Sequence, residues 1–124
     1  MTTDKICLDV WGRKFELKVI YDVYENEEIL EIQRNAFDMF IENASKILKD
    51  DSFIKKYCQD NSNNQITGDI DNIFKYVIPN SLYIMRDGKK RKVVLLCDYR
   101  YDEEHGIAIG FENERISYIG SQIN

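Results

Sequence analysis

The chain has 124 residues, a formal net charge of −5 and 31% charged residues, which fits one soluble globular domain over 1–124. That balance carries no basic footprint for nucleic acid, and no apolar run approaches membrane-spanning length. The cysteines Cys7, Cys58 and Cys97 are widely spaced, no CxxC occurs, and His105 is the only histidine, so a structural zinc site is excluded. Three reduced thiols and an N-terminus without an apolar signal core point to the cytoplasm.

Ile6, Leu8 and Val10 alternate with Cys7 and Asp9, and Phe15, Leu17, Val19 and Tyr21 alternate with Glu16, Lys18 and Ile20. Period two on both sides of "WGRK" predicts an opening β-hairpin. Trp11 sits at its turn, as a lid over the core edge or as an exposed contact residue; the usual burial of Trp favours the lid.

From Asn26 the period changes. Asn26 is placed to cap a helix whose first turn carries Glu27 and Glu28. Ile29, Ile32, Ala36, Phe37, Phe40, Ala44, Ile47 and Leu48 follow helical spacing, with Asn43 as a candidate break. Asp51 or Ser52 can cap a short helix carrying Phe53, Ile54, Tyr57 and Cys58. "QDNSNNQ" (59–65) reads as a surface loop. Ile70, Ile73, Phe74 and Val77 predict another helix, ended by Pro79.

From Asn80 onward the chain reads as β. "SLYIMR" precedes Asp87-Gly88, a hairpin signal because both turn positions favour φ > 0. The apolar run Val93–Cys97 suits a central strand covered on both faces. Asn113-Glu114 turns the chain from "IAIGF" into "RISYIG". Ile107, Ile109 and Phe111 should face the core, while Ala108 and Gly110 would permit close packing on the other face. The expected architecture is α+β: an N-terminal hairpin, two to four helices, then a four-stranded antiparallel meander, giving one mainly antiparallel sheet with helices on one face.

The segment "CDYRYDEEHG" carries the candidate chemistry. Glu104 beside His105 is a candidate acid/base pair, because a carboxylate fixes the imidazole tautomer and raises its basicity. Asp98, Tyr99, Tyr101, Asp102, Glu103, Glu104 and His105 are the candidate binding residues. Asp98, Asp102, Glu104 and His105 are also the residues that a divalent cation would need, although loop neighbours rarely all converge. The plainer reading is a well-made turn in which Gly106 takes a conformation closed to other residues. No GxSxG, HExxH or P-loop pattern is present, and no metal or cofactor is expected.

Two charged features flank this segment. "RDGKKRK" (Arg86 to Lys92) is a solvated hairpin tip or a phosphate-binding one. Asp22, Glu25, Glu27 and Glu28 crowd the junction after the second strand and would attract a basic protein if they gather on one face.

"CDYRYDEEHGIAIGFENERISYIG" resembles the C-terminal signature of a family of small bacterial proteins of unknown function. "WGRKFELKVIYDVYENEEILEIQRNAFDMF" and "DNIFKYVIP" are similar to its N-terminal half and middle segment. The resemblance puts the family's motif positions on Asp102, Glu104, His105, Gly106 and Gly120. Tyr101 stands where Trp is common, and Ile123 where relatives often carry an acidic residue. It implies no activity, and some similar proteins are encoded near toxin systems and look like immunity proteins. The reading is a non-catalytic protein-binding module, of immunity or accessory type, for a basic or toxin partner. The alternatives are a small enzyme or metal-binding protein using Glu104 and His105, and a structural, self-associating domain.

Overall fold

The computed structural model describes residues 3–122, so Ile123 lies outside the described residues. The alternating N-terminal segments form a hairpin of β1 (Thr3–Val10) and β2 (Arg13–Tyr21). Its two-residue turn has Trp11 at φ 51° and Gly12 at φ 89°, the left-handed pair that matches strand twist. A Trp held at positive φ needs compensation. The Trp11 ring is buried beside Phe53 and Phe74, with centroids at 6.4 and 6.2 Å, and the residue's backbone N–H donates to the Leu48 carbonyl at 2.8 Å.

The chain then crosses one face of the sheet through α1 (Glu31–Ile47) and α2 (Ser52–Asp60). Asn26 is not the cap of α1; it sits in the preceding loop at φ 67°. Gln33 does the capping, accepting from Leu30 N–H at 2.9 Å. Asn43 does not break α1, because its side chain donates back to the Met39 carbonyl at 2.8 Å. The expected third helix is absent: only Ile73–Lys75 form a 3₁₀ turn, capped by Asn72. Val77, Ile78 and Pro79 already belong to β3 (Val77–Ile84). Pro79 is tolerated there because it lies at a bulge and ahead of the residues that pair with β2.

β4 (Lys92–Tyr99), β5 (Ile107–Glu112) and β6 (Arg115–Gly120) complete a six-stranded sheet of order β1-β2-β3-β4-β5-β6. The expected antiparallel architecture is overturned. β2 and β3 pair in parallel, with Lys18 opposite Ser81 and Tyr21 opposite Ile84. The sheet is therefore mixed, two helices replace the two to four expected, and the C-terminal strands are no separate meander but continue into the N-terminal hairpin. The cause is the long connection: a crossover through helices returns the chain in the direction it left, which no tight turn does.

The Asp87-Gly88 turn is also different from expectation. Neither residue has positive φ. A longer loop is held instead by the Asp87 carboxylate, which accepts from Lys89 N–H at 2.7 Å and Lys90 N–H at 2.9 Å and pairs with Lys92 at 3.0 Å. These bonds hold the Asp87 carboxyl well below the usual carboxylate range. The tight turn from β5 into β6 is the left-handed pair Asn113-Glu114, at φ 48° and 66°.

One apolar core lies between the helices and one face of the sheet. Leu17, Val19, Leu82, Ile84, Leu95, Ile107, Ile109 and Phe111 meet Phe40, Ile54 and Leu48 there. Phe40 and Phe111 meet edge to face at 5.1 Å, worth about 0.5–1.5 kcal/mol beyond area burial. Val94 and Ala108 are buried yet belong to the opposite face, outside that core. Cover of β4 on both faces is thus not found. Its second face is screened by same-face neighbours such as Tyr83, Met85 and Tyr118 around a shallow hollow. The Tyr118 ring lies against Gly110, where a Cβ would collide with it.

Gln33 is buried and links the parallel pair to α1. Its amide nitrogen donates to Asp22 O at 3.0 Å and to Ile84 O at 3.2 Å, while its oxygen caps α1. One side chain thereby fixes the carboxyl ends of β2 and β3 and the start of the crossover.

Candidate functional site

Residues 100–106 connect β4 to β5. Arg100 N–H donates to the Tyr76 carbonyl at 2.8 Å, and Asp102 N–H to the Tyr99 carbonyl at 3.2 Å. Asp102 organises the tip: its carbonyl accepts from Gly106 N–H at 2.7 Å, and its Oδ1 meets His105 N–H at 3.2 Å and His105 Nδ1 at 3.1 Å. The residue facing the imidazole is Asp102, not Glu104. Glu103, Glu104 and His105 are exposed.

Gly106 sits at φ 64°, and a Cβ there would collide with the Cys97 carbonyl and come within 2.9 Å of Gln122 Nε2. Gln122 threads this space. Its side chain donates to Cys97 O and Ile107 O, each at 3.2 Å, and its N–H donates to His105 O at 3.2 Å. The turn therefore locks the segment that follows β6 onto the ends of β4 and β5.

The remaining sequence candidates do not converge on His105. Tyr99 is buried, donating to Asn61 O at 3.1 Å and Cys58 O at 3.4 Å, and burial raises its phenol above the usual range. Tyr101 stacks on Tyr76 at 5.8 Å. Asp98 accepts from Asn80 Nδ2 at 3.2 Å on the sheet's other face. Asp98, Tyr99 and Glu103 border a hollow of about 370 Å³ with Lys75, Tyr76 and Arg100, but His105 does not line it. Among the described residues, no three His, Cys, Asp or Glu side chains gather as metal ligands.

The basic run is largely neutralised. Arg86 pairs with Glu27 at 3.5 Å, Lys90 with Glu112 at 3.5 Å, Arg91 with Glu114 at 2.9 Å, and Lys92 with Asp87.

A hollow of about 680 Å³ lies at the β2–α1 loop. Tyr24 and Glu27 close a turn there: Glu27 N–H donates to Tyr24 O at 3.0 Å, and Glu27 Oε1 accepts from Tyr24 N–H at 3.0 Å. Arg86 ties the loop down through Glu28 O at 3.0 Å. Glu25, Glu27, Glu28, Tyr21, Tyr24 and Arg34 line the hollow, and Tyr24 is 72% exposed. The loop follows the carboxyl end of β2, the side of a parallel pair where α/β sheets usually receive ligands. Burial and the neighbouring Asp22 carboxylate push the phenol of Tyr83, which lines the hollow with Met85 and Tyr118, up to about 12. The acidic residues were visible in the sequence, but Tyr24 and Arg34 as their companions were not, because the parallel pairing leaves no local signal.

A family model described as a domain of unknown function, DUF6985, matches residues 2–124. The chain belongs to the DUF6985 family. No curated protein and no solved structure matches it. Membership in DUF6985 brings no activity with it. No helix among the described residues is long and apolar enough to cross a membrane.

Proposed function

We propose that this DUF6985 protein is a non-catalytic protein-binding module of the bacterial cytoplasm, of immunity or accessory type, whose partner presents a basic surface. The observation that carries the reading is Tyr24, the most exposed large apolar side chain among the described residues, standing on a loop lined by Glu25, Glu27 and Glu28. An aromatic with few rotatable bonds and a ring of carboxylates suits capture of Lys or Arg side chains, by cation–π contact and charge pairing. The three free cysteines accord with a reducing compartment. Against an acid/base role for Glu104 and His105 stands the exposed tip, where His105 meets Asp102 and lies outside the hollow bordered by Asp98, Tyr99 and Glu103.

A photo-crosslinking phenylalanine analogue placed at position 24 in cells tests this. The expected result is a covalent adduct with one protein species, lost when Glu25→Lys and Glu28→Lys are added. Absence of any adduct at position 24, with adducts formed from a control position at Glu104, would overturn it.

A further inference from the structure

Ile78 and Asp98 stand opposite each other on β3 and β4, near the end of the pair where Arg100 N–H donates to the Tyr76 carbonyl at 2.8 Å. Directly opposed residues share a face of the sheet, here the one away from the core. With Lys75, Tyr76, Arg100 and Glu103 they border the hollow of about 370 Å³. That volume falls in the range of small-molecule sites.

Much of its frame is held in place. Asn80 Nδ2 donates to Asp98 Oδ1 at 3.2 Å, the Tyr76 ring stacks on Tyr101 at 5.8 Å, and the Arg100 guanidinium lies 6.0 Å from the Tyr101 ring centroid. Two cations, Lys75 and Arg100, share the rim with two carboxylates, Asp98 and Glu103. Among the described residues none of these four is ion-paired, whereas Arg86, Lys90, Arg91 and Lys92 of the basic run all are. Ile78, 41% exposed, adds apolar surface among them.

We infer that this hollow binds a free α-amino acid with an apolar side chain. Lys75 and Arg100 take its carboxylate, Asp98 and Glu103 its ammonium, and Ile78 with the Tyr76 ring takes its side chain. The balance of charge selects this class. A simple anion would meet the two carboxylates, and a simple cation the two basic groups. A neutral apolar ligand would strip water from all four charges and replace none of it. A zwitterion gives both signs a partner. The hollow shares no lining residue with the Tyr24 loop, so either site can fail without the other. Exposed ion pairs are individually weak, so dissociation on the order of millimolar is expected.

Nuclear magnetic resonance titration with leucine reads site and affinity together. Backbone amides of 75–78 and 98–103 should shift and approach saturation on the order of ten millimolar. N-acetylleucine, which lacks the ammonium, and leucinamide, which lacks the carboxylate, should each bind about fivefold more weakly. Arg100→Gln should shrink the preference for leucine over leucinamide and leave the preference over N-acetylleucine. Asp98→Asn should do the reverse, a crossed pattern that a mere disturbance of the fold does not produce. Absence of a saturable shift in these amides overturns the inference. So do equal affinities of wild type for the three ligands, glycine binding as tightly as leucine, or variants that weaken all three ligands alike.

Discussion

At the scale of single residues, Gly106 and Gln33 matter more to the fold than His105. Gly106→Ala meets a left-handed backbone and the Cys97 carbonyl together, and displaces Gln122. The expected loss is about 2–4 kcal/mol in urea unfolding. His105→Ala removes one exposed contact to Asp102 and is expected to cost less than about 1 kcal/mol. Gln33→Leu leaves the Leu30 N–H and the Asp22 carbonyl without a partner in or near the core. That change should cost about 2–3 kcal/mol, measured the same way. The sequence showed Gly106 as a turn residue. It did not show that His105 faces Asp102, since three acids precede the histidine and only the turn's curvature selects among them. Nor did it show Gln33 as anything but one polar residue on a helix.

At the scale of elements, local pattern was informative where local physics decides. Alternation marked β1 and β2, and helical spacing marked α1 and α2. It failed at 70–79, where Ile70, Ile73, Phe74 and Val77 have helical spacing because a 3₁₀ turn and the start of β3 happen to bury them in succession. It failed again at Asp87-Gly88, where carboxylate bonds to Lys89, Lys90 and Lys92 make a wider loop than glycine alone would suggest. The Arg91–Glu114 pair at the β5–β6 turn is partly buried and doubly bonded. Arg91→Ala should therefore loosen the start of β6 more than it destabilises the whole. Hydrogen exchange checks this: amides of Ile116–Tyr118 should exchange faster, while those of Leu95 and Ile109 stay protected.

At the scale of the whole molecule, the parallel β2–β3 pairing was hidden because it depends on where the crossover returns, not on any window of sequence. The core's chemistry follows from the resulting burial. Cys58 and Cys97 are buried and Cys7 is exposed, so a thiol reagent should titrate one cysteine per chain natively and all three after unfolding. Burial pushes the Cys58 thiol up from 9.0 to about 11. A raised folded-state value binds the proton more tightly than the unfolded chain does. Its stabilisation is complete below pH 9 and is lost as pH rises through 11. Tyr83, raised from 10.0 to about 12, adds a second loss in the same direction. Urea midpoints should fall steadily above pH 9, less steeply in Cys58→Ala.

The proposed function has this molecule work through the Tyr24 surface, with the His105 turn as structure. Its most direct test is the affinity of the partner captured at position 24 for two variants of confirmed fold. Tyr24→Ala is predicted to weaken binding at least about tenfold, the loss expected of an aromatic anchor, and His105→Ala to leave it within about twofold. Binding that survives Tyr24→Ala but is abolished by His105→Ala would contradict the account.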